Sequence, residues 1–306
     1  MAGKPDQAAA GRRAAFFGLG AIGWPMAGHV ARAYDLAVWN RTGARAKQFA
    51  ESHSARVAGT PREAAQGAEV ILTCLPTSAE VEALLDGRDG LLAGLTPGAL
   101  FLDCSSGDLV SVGRIAARLT EAGVAFADCP VSGGTNGAEA GALTVMVGAD
   151  APTFDRARPV LGCFGRRIEH LGPVGAGSAV KAINNALLAA NILTFGEGFA
   201  GLAKAGIPVR KALDVLNVSS GRSFVTENLV PDRVLTGAFP NTFRLALLEK
   251  DVGIAIGFLE SQGIASPVLH LVRELFRWAR AQLGEGADYL EAIRLQEREA
   301  GVEIRG

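Results

Sequence analysis

The chain has 306 residues, 49% of them hydrophobic and 20% charged, with a formal net charge of −1. That length suffices for two domains with a sizeable core, and the near-neutral charge offers no field to match a nucleic acid or an anionic membrane. No apolar run reads as long and uninterrupted enough to span a bilayer, and Cys74, Cys104, Cys129 and Cys163 lack metal-ligand spacing. Small buried thiols in a reducing cytoplasm, with no metal, are therefore expected. The Ala/Gly-rich start lacks the apolar core of a signal peptide, so residues 1–13 read as a disordered tail.

Ala14-Ala-Phe-Phe17 is a short apolar strand, and Gly18-Leu19-Gly20-Ala21-Ile22-Gly23 follows it directly, with a helix from Trp24 to Ala33. Strand before and helix after is the context the dinucleotide fingerprint needs, because the glycines let a pyrophosphate approach free N–H groups at the helix start. The second strand, Leu36–Trp39, ends in Asn40-Arg41-Thr42. No carboxylate stands there to hold both ribose hydroxyls of NAD, and Arg41 can pair with a 2′-phosphate, so the cofactor is read as NADP, with NAD weaker.

Further strands at 70–74, 99–103, 124–128 and 142–147 alternate with helices opening at Ser78, Asp108 and Pro152. That alternation implies a Rossmann-type, doubly wound parallel sheet, with ligands outside the strand C-termini. Leu75, Pro76, Ser105 and Ser106 fall on that rim and are expected to face the cofactor. The segment Cys129–Ala138 reads as too rich in glycine for a helix. Its Ser132, Gly133 and Gly134 offer a hydroxyl and exposed N–H groups, a nest for a small carboxylate.

The domain 14–173 closes at Leu171-Gly-Pro173, and 174–306 reads as all-helical, opening with a long interdomain helix through Ala205. Small and apolar residues on every face suggest that this helix is buried nearly all round. Lys181 and Asn185 stand four apart on one face, with Asn184 beside them, and a cation next to an amide suits a hydroxyl losing its proton. Helical spacing continues through Val209–Asn217, Phe243–Glu260 and Ser266–Leu283, with Lys250 and Asp251 leading an apolar run and Ser219–Ser223 a surface connection. Each feature alone admits a plainer reading: a glycine turn, a solvated arginine, a snorkelling lysine.

Taken together, Gly18–Gly23, Asp128-Cys-Pro-Val-Ser-Gly-Gly134, Gly175–Asn185 and Lys250-Asp251 give the chain a resemblance to the β-hydroxyacid dehydrogenases, and within them to the 3-hydroxyisobutyrate dehydrogenases. The resemblance covers essentially everything after the tail. It implies Lys181 as general acid/base, Asn185 orienting the substrate, and Ser132, Gly133 and Gly134 gripping its carboxylate. It implies Lys250 at the nicotinamide end, on both substrate and cofactor, with Asp251 supporting it, and a homodimer or homotetramer. Ile22 stands where many relatives carry Met. Glu80 takes a position that is sometimes Asn and stays outside the expected site.

The expected reaction is oxidation of a small 3-hydroxy acid to its semialdehyde. A reductase of glyoxylate, succinic or tartronic semialdehyde uses the same grip on a carboxylate and a reacting carbon. An imine reductase of this architecture usually replaces the lysine, so Lys181 counts against that reading. A non-catalytic NADP-binding sensor would need the glycines but neither Lys181 nor the nest.

Overall fold

A computed structural model describes residues 11–306, so residues 1–10 of the expected tail lie outside the described residues. The first strand, β1 (Arg13–Phe17), already includes the last residue of that tail. After it come α1 (Gly23–Val30), β2 (Asp35–Trp39), α2 (Gly43–Ser52), β3 (Ala55–Val57), α3 (Pro61–Ala65), β4 (Val70–Thr73) and α4 (Ser78–Leu85). The alternation continues with β5 (Leu100–Asp103), α5 (Leu109–Glu121), β6 (Ala125–Asp128), β7 (Val131–Ser132), α6 (Gly134–Glu139), β8 (Leu143–Gly148), α7 (Ala151–Leu161) and β9 (Gly165–Gly172). Helices then take over: α8 (Ala176–Lys204), α9 (Val209–Asn217), a π-helical segment (Val225–Val234), α10 (Leu245–Ser261), α11 (Pro267–Leu283) and α12 (Ile293–Ala300).

The strands form one sheet in the order β3-β2-β1-β4-β5-β6-β8-β7, with β9 on the free side of β8. From β3 to β6 every pairing is parallel, and β8 runs antiparallel to both β6 and β7. Alternate residues of each strand feed two cores. Ala14, Phe16, Val70, Leu72, Leu100 and Leu102 pack with α1, α2 and α7, and Ala15, Phe17, Ile71 and Phe101 pack with α3, α4 and α5. A central strand buried on both faces must be apolar throughout, which is why these runs read as strands.

The chain divides into two compact units, one ending at Lys181 and the other running from Ala182 to Gly306. This division falls inside α8. In the second unit, Ala189, Ile192, Leu193, Phe195 and Phe199 of α8 pack with Leu213, Val230, Leu248, Val252, Phe276 and Ile293 in one core.

Three sequence readings are corrected here. The glycine-rich stretch after Ser132 does form a helix, α6, because Ala138 is buried and α6 packs against α1 and β8. His29 of α1 fixes its far end, with Nε2 3.0 Å from both the Ala138 and Glu139 carbonyls. Packing overrides propensity there. Nor is α8 buried all round: Val180, Asn184, Leu187, Asn191 and Thr194 form an exposed stripe at helical spacing. Val180 and Leu187 interrupt the polar Asn184, Asn191 and Thr194 in that stripe, which weakens the contrast that would mark it in the sequence. By length and hydropathy α8 alone, among the described residues, meets the requirement for a membrane span, contrary to the sequence reading. Its apolar side chains in the second unit fill the helical core.

Candidate active site

The glycine loop is built from β1 upward. Gly18 has φ +100°, and a Cβ at Gly23 would run into the Gly18 carbonyl, so the turn closes too tightly for side chains at either position. Gly20 differs: it is exposed, and no protein atom lies within 4 Å of where its Cβ would stand. Nothing in the protein requires a glycine there, whereas a backbone approached from outside by a pyrophosphate does. The Trp24 N–H donates to the Gly20 carbonyl at 2.9 Å, so the hydrogen-bonded turn begins at Gly20, and the N–H groups of Ala21, Ile22 and Gly23 lie ahead of it. These residues fit a dinucleotide.

Leu19 is a core residue whose backbone already has protein partners. Its N–H donates to Asn40 Oδ1 at 3.0 Å, and its carbonyl accepts from Arg45 Nε at 3.1 Å. Asn40 also donates to the Thr42 carbonyl at 3.1 Å, so its amide ties the glycine loop to the turn after β2. The Arg45 guanidinium lies over Trp24, 4.2 Å from the ring centre. Arg41 projects into solvent with its side chain 84% exposed, 3.5 Å from Glu80 Oε1, and Thr42 stands at the N-cap of α2.

On the rim beyond β4 and β5, Ser105 is buried, and its Oγ accepts from the Leu75 N–H at 2.9 Å. It braces two loops rather than presenting its hydroxyl. Behind it, Asp103 accepts from Thr73 Oγ1 at 2.7 Å and from the Ser105 N–H at 3.0 Å. Burial pushes the Asp103 carboxyl above its usual range, and those bonds pull it back. Pro76 is exposed at the rim and Ser106 is half-buried. Of the four cysteines, Cys104 and Cys129 are buried as expected, and Cys74 and Cys163 are partly exposed. Burial lifts Cys74 to about 12 and Cys163 to about 11, and sends Cys104 and Cys129 well above the ordinary value.

Asp128 ends β6 with a buried carboxylate that takes the Gly175 N–H on one oxygen and the Ser178 N–H on the other, both at 2.7 Å. Its pKa is raised by burial and held back by those two bonds. The start of α8 is thereby capped from another strand, and a Cβ at Gly177 would meet the Met146 carbonyl. Lys181, half-buried, follows one turn later. The same β6 continues through Cys129 and Pro130 into β7. There Ser132, half-buried and paired with Thr144 of β8, precedes Gly133 at φ +135° and Gly134 at φ +63°, both exposed. One buried carboxylate thus fixes the roots of both the lysine helix and the serine-glycine turn.

In the second unit, Asn185 is 3% exposed and donates to Asp251 Oδ2 at 2.6 Å, while its Oδ1 accepts from Asn184 at 3.0 Å. Lys250 Nζ lies 3.0 Å from Asp251 Oδ1. The structure therefore joins Asn184, Asn185, Asp251 and Lys250 in one polar chain. Asp251, only 2% exposed, stands behind its neighbours as their common anchor. Sequence reasoning assigned no task to Asp103, Asp128 or Arg45. A signal existed for the first two, since each ends an apolar strand where a carboxylate persists only with N–H or O–H donors.

A strand order of β3-β2-β1-β4-β5-β6 with a glycine loop after β1 is the Rossmann-type dinucleotide-binding arrangement, and the family profiles that match the chain place it among the oxidoreductases that bind a nicotinamide dinucleotide. Residues 13–172 match the family profile described as the NAD binding domain of 6-phosphogluconate dehydrogenase. Residues 175–296 match that described as NAD-binding of NADP-dependent 3-hydroxyisobutyrate dehydrogenase. The chain is similar to the 2-(hydroxymethyl)glutarate dehydrogenase of Eubacterium barkeri, 34% identical over 95% of this chain and 97% of the relative. It is 36% identical to the NAD-dependent L-serine dehydrogenase of Pseudomonas aeruginosa, over 87% of this chain and 91% of that one. A solved structure of Mycobacterium tuberculosis 3-hydroxyisobutyrate dehydrogenase with L-serine matches at a TM-score of 0.84 and 30% identity, covering 93% of this chain and 98% of the other. The chain belongs to the β-hydroxyacid dehydrogenase family.

Proposed function

We propose that the chain oxidises the primary alcohol of a small 3-hydroxy acid to the semialdehyde, using NADP in preference to NAD, with Lys181 as general acid/base. The observation that carries this reading is the Asp128 anchor, which holds the root of the Lys181 helix and begins the segment leading to Ser132, Gly133 and Gly134. A bound nicotinamide supplies the hydride acceptor. Lys181, in its neutral form, takes the hydroxyl proton on Nζ as the carbonyl forms. Ser132 donates its hydroxyl, and Gly133 and Gly134 their N–H groups, to the carboxylate. Asn185, whose amide keeps a second N–H and a second lone pair beyond those in use, orients the substrate, and Lys250, steadied by Asp251, serves substrate and cofactor.

The relatives' names support a narrower substrate class. 2-(Hydroxymethyl)glutarate, L-serine and 3-hydroxyisobutyrate all carry a hydroxymethyl group on the carbon next to a carboxylate, and differ only in the third substituent. A 2-substituted 3-hydroxypropionate is the shared chemistry. NADP preference is supported by Asn40 and Arg41 at the end of β2, where no acidic residue claims the ribose. Free cysteines throughout the described residues support a reducing compartment. A homodimer or homotetramer is supported by Val268, Leu271 and Trp278, an exposed apolar stripe on α11.

The test is a rise in absorbance at 340 nm on mixing the protein with NADP and 3-hydroxyisobutyrate, L-serine or 2-(hydroxymethyl)glutarate, ranked by kcat/KM. No turnover of any such acid, together with fast reduction of glyoxylate or succinic semialdehyde, overturns the direction and the class.

A further inference from the structure

We propose that Glu80 limits how strongly the chain favours the 2′-phosphorylated dinucleotide, by competing with that phosphate for Arg41. The inference rests on the NADP reading above and names the residue that sets the size of the preference.

Glu80 is a fixed carboxylate. It occupies the third position of α4 in a capping box with Thr77: its Oε2 accepts from the Thr77 N–H at 3.1 Å, and Thr77 Oγ1 accepts from the Glu80 N–H at 3.3 Å. Held in that way, it turns Oε1 toward Arg41 Nη1, 3.5 Å away. Arg41 is the more exposed member, its side chain 84% exposed against 33% for Glu80.

The position of the pair in the sheet gives it a function. β1 lies between β2 and β4, so an ion pair from the end of β2 to the start of α4, just past β4, crosses the C-terminal end of β1. That end continues into Gly18–Gly23. The Arg41–Glu80 pair therefore stands over the loop that fits the dinucleotide.

An exposed ion pair of this kind is weak, so a dianionic 2′-phosphate can take the guanidinium from a single carboxylate. It cannot, however, escape the carboxylate's field. From the 3.5 Å contact, across the guanidinium, to an oxygen bonded on its far edge is at most roughly 9 Å, about one Debye length at physiological salt. The repulsion falls on NADP and spares NAD, which carries no charge at that hydroxyl.

The test is Glu80→Gln, which keeps the capping box, since Gln serves at that position, and removes the charge. Dissociation constants of the cofactor-free protein are measured for NADP and NAD, and for the fragments 2′,5′-ADP and 5′-AMP, at fixed ionic strength. The expected result is roughly three- to ten-fold tighter binding of NADP and 2′,5′-ADP, a change of less than about two-fold for NAD and 5′-AMP, and a gain that shrinks as salt rises. Equal gains for both members of each pair, or no gain for the phosphorylated ones, overturn the proposal. Arg41→Ala separates the two readings. If it weakens 2′,5′-ADP while Glu80→Gln changes nothing, the Glu80 assignment falls alone. If the wild type binds 5′-AMP as tightly as 2′,5′-ADP and Arg41→Ala affects neither, both fall.

Discussion

At the end of β6 the Asp128 carboxylate is buried and takes two backbone N–H groups at 2.7 Å, whereas at the end of β2 the Arg41 guanidinium is 84% exposed and meets its partner at 3.5 Å. The first contact fixes backbone to backbone through one carboxylate, in a place where Gly177 admits no side chain. The second joins two side chains in water, screened by salt. If Lys181 and Arg41 serve as proposed, such a site holds its reacting groups rigidly and leaves its cofactor choice to residues that can change at little structural cost.

Substitutions at each level should give effects of correspondingly different size. Lys181→Ala should lower kcat by roughly 10²- to 10⁴-fold with an unchanged melting curve, since the proton loses its acceptor while Asp128 still caps α8. Near-normal turnover in that variant would falsify the acid/base role. Asp128→Asn places an amide N–H2 against one of the two N–H donors. The loss of one charge-assisted bond, about 1.5–3 kcal/mol, should lower the melting temperature by several degrees and slow turnover.

The pH dependence of the Asp128 effect has a definite sign. Burial raises the Asp128 pKa, so the folded state holds the proton more tightly than the unfolded chain. Wild-type stability then declines as pH climbs from about 3.8 toward the folded-state value, and the Asn variant lacks that decline. The stability gap between the two should narrow on raising the pH through that window. Melts across the acid range measure it, and a gap that widens with pH overturns the account.

Ser132→Ala should reduce kcat/KM for the acid roughly ten- to a hundred-fold, through one lost bond to a carboxylate, with cofactor affinity held. A loss confined to cofactor binding would move this turn out of the substrate site. The smallest effect belongs to the exposed end. Arg41→Ala should weaken NADP by about ten-fold, at the low end for a charge-assisted bond because water already surrounds the guanidinium, and should leave NAD alone. An equal loss for both cofactors would remove the basis for an NADP preference.

The sheet was legible because its central strands are buried on both faces and therefore apolar, as in Val70–Thr73 and Leu100–Asp103. β9 escaped notice for the opposite reason. It pairs only with β8, and Arg166, Arg167, Glu169 and His170 leave it no apolar run. The glycine loop, the serine-glycine turn and the lysine helix stood out by residue type. What residue type could not show is which side chain serves which neighbour. Asn40 ties the glycine loop to the turn after β2, Ser105 braces the rim from a buried position, and the Asn185 amide is engaged by Asn184 and Asp251. Those partners lie one to 66 residues away in the chain, and only folding brings the distant ones together. The Pro231-containing π-helical segment was equally hidden, since a proline inside a helical pattern ordinarily signals its end.

Burial of the thiols has a practical consequence for labelling. With Cys74 pushed to about 12, Cys163 to about 11, and Cys104 and Cys129 higher still than their ordinary value, almost none of the sulfur is thiolate near neutral pH. The wild-type chain should therefore react slowly with maleimides, the partly exposed Cys74 and Cys163 ahead of the buried Cys104 and Cys129. A single cysteine introduced on the exposed stripe of α8, at Thr194 for instance, should take a fluorophore or spin label faster than the native four.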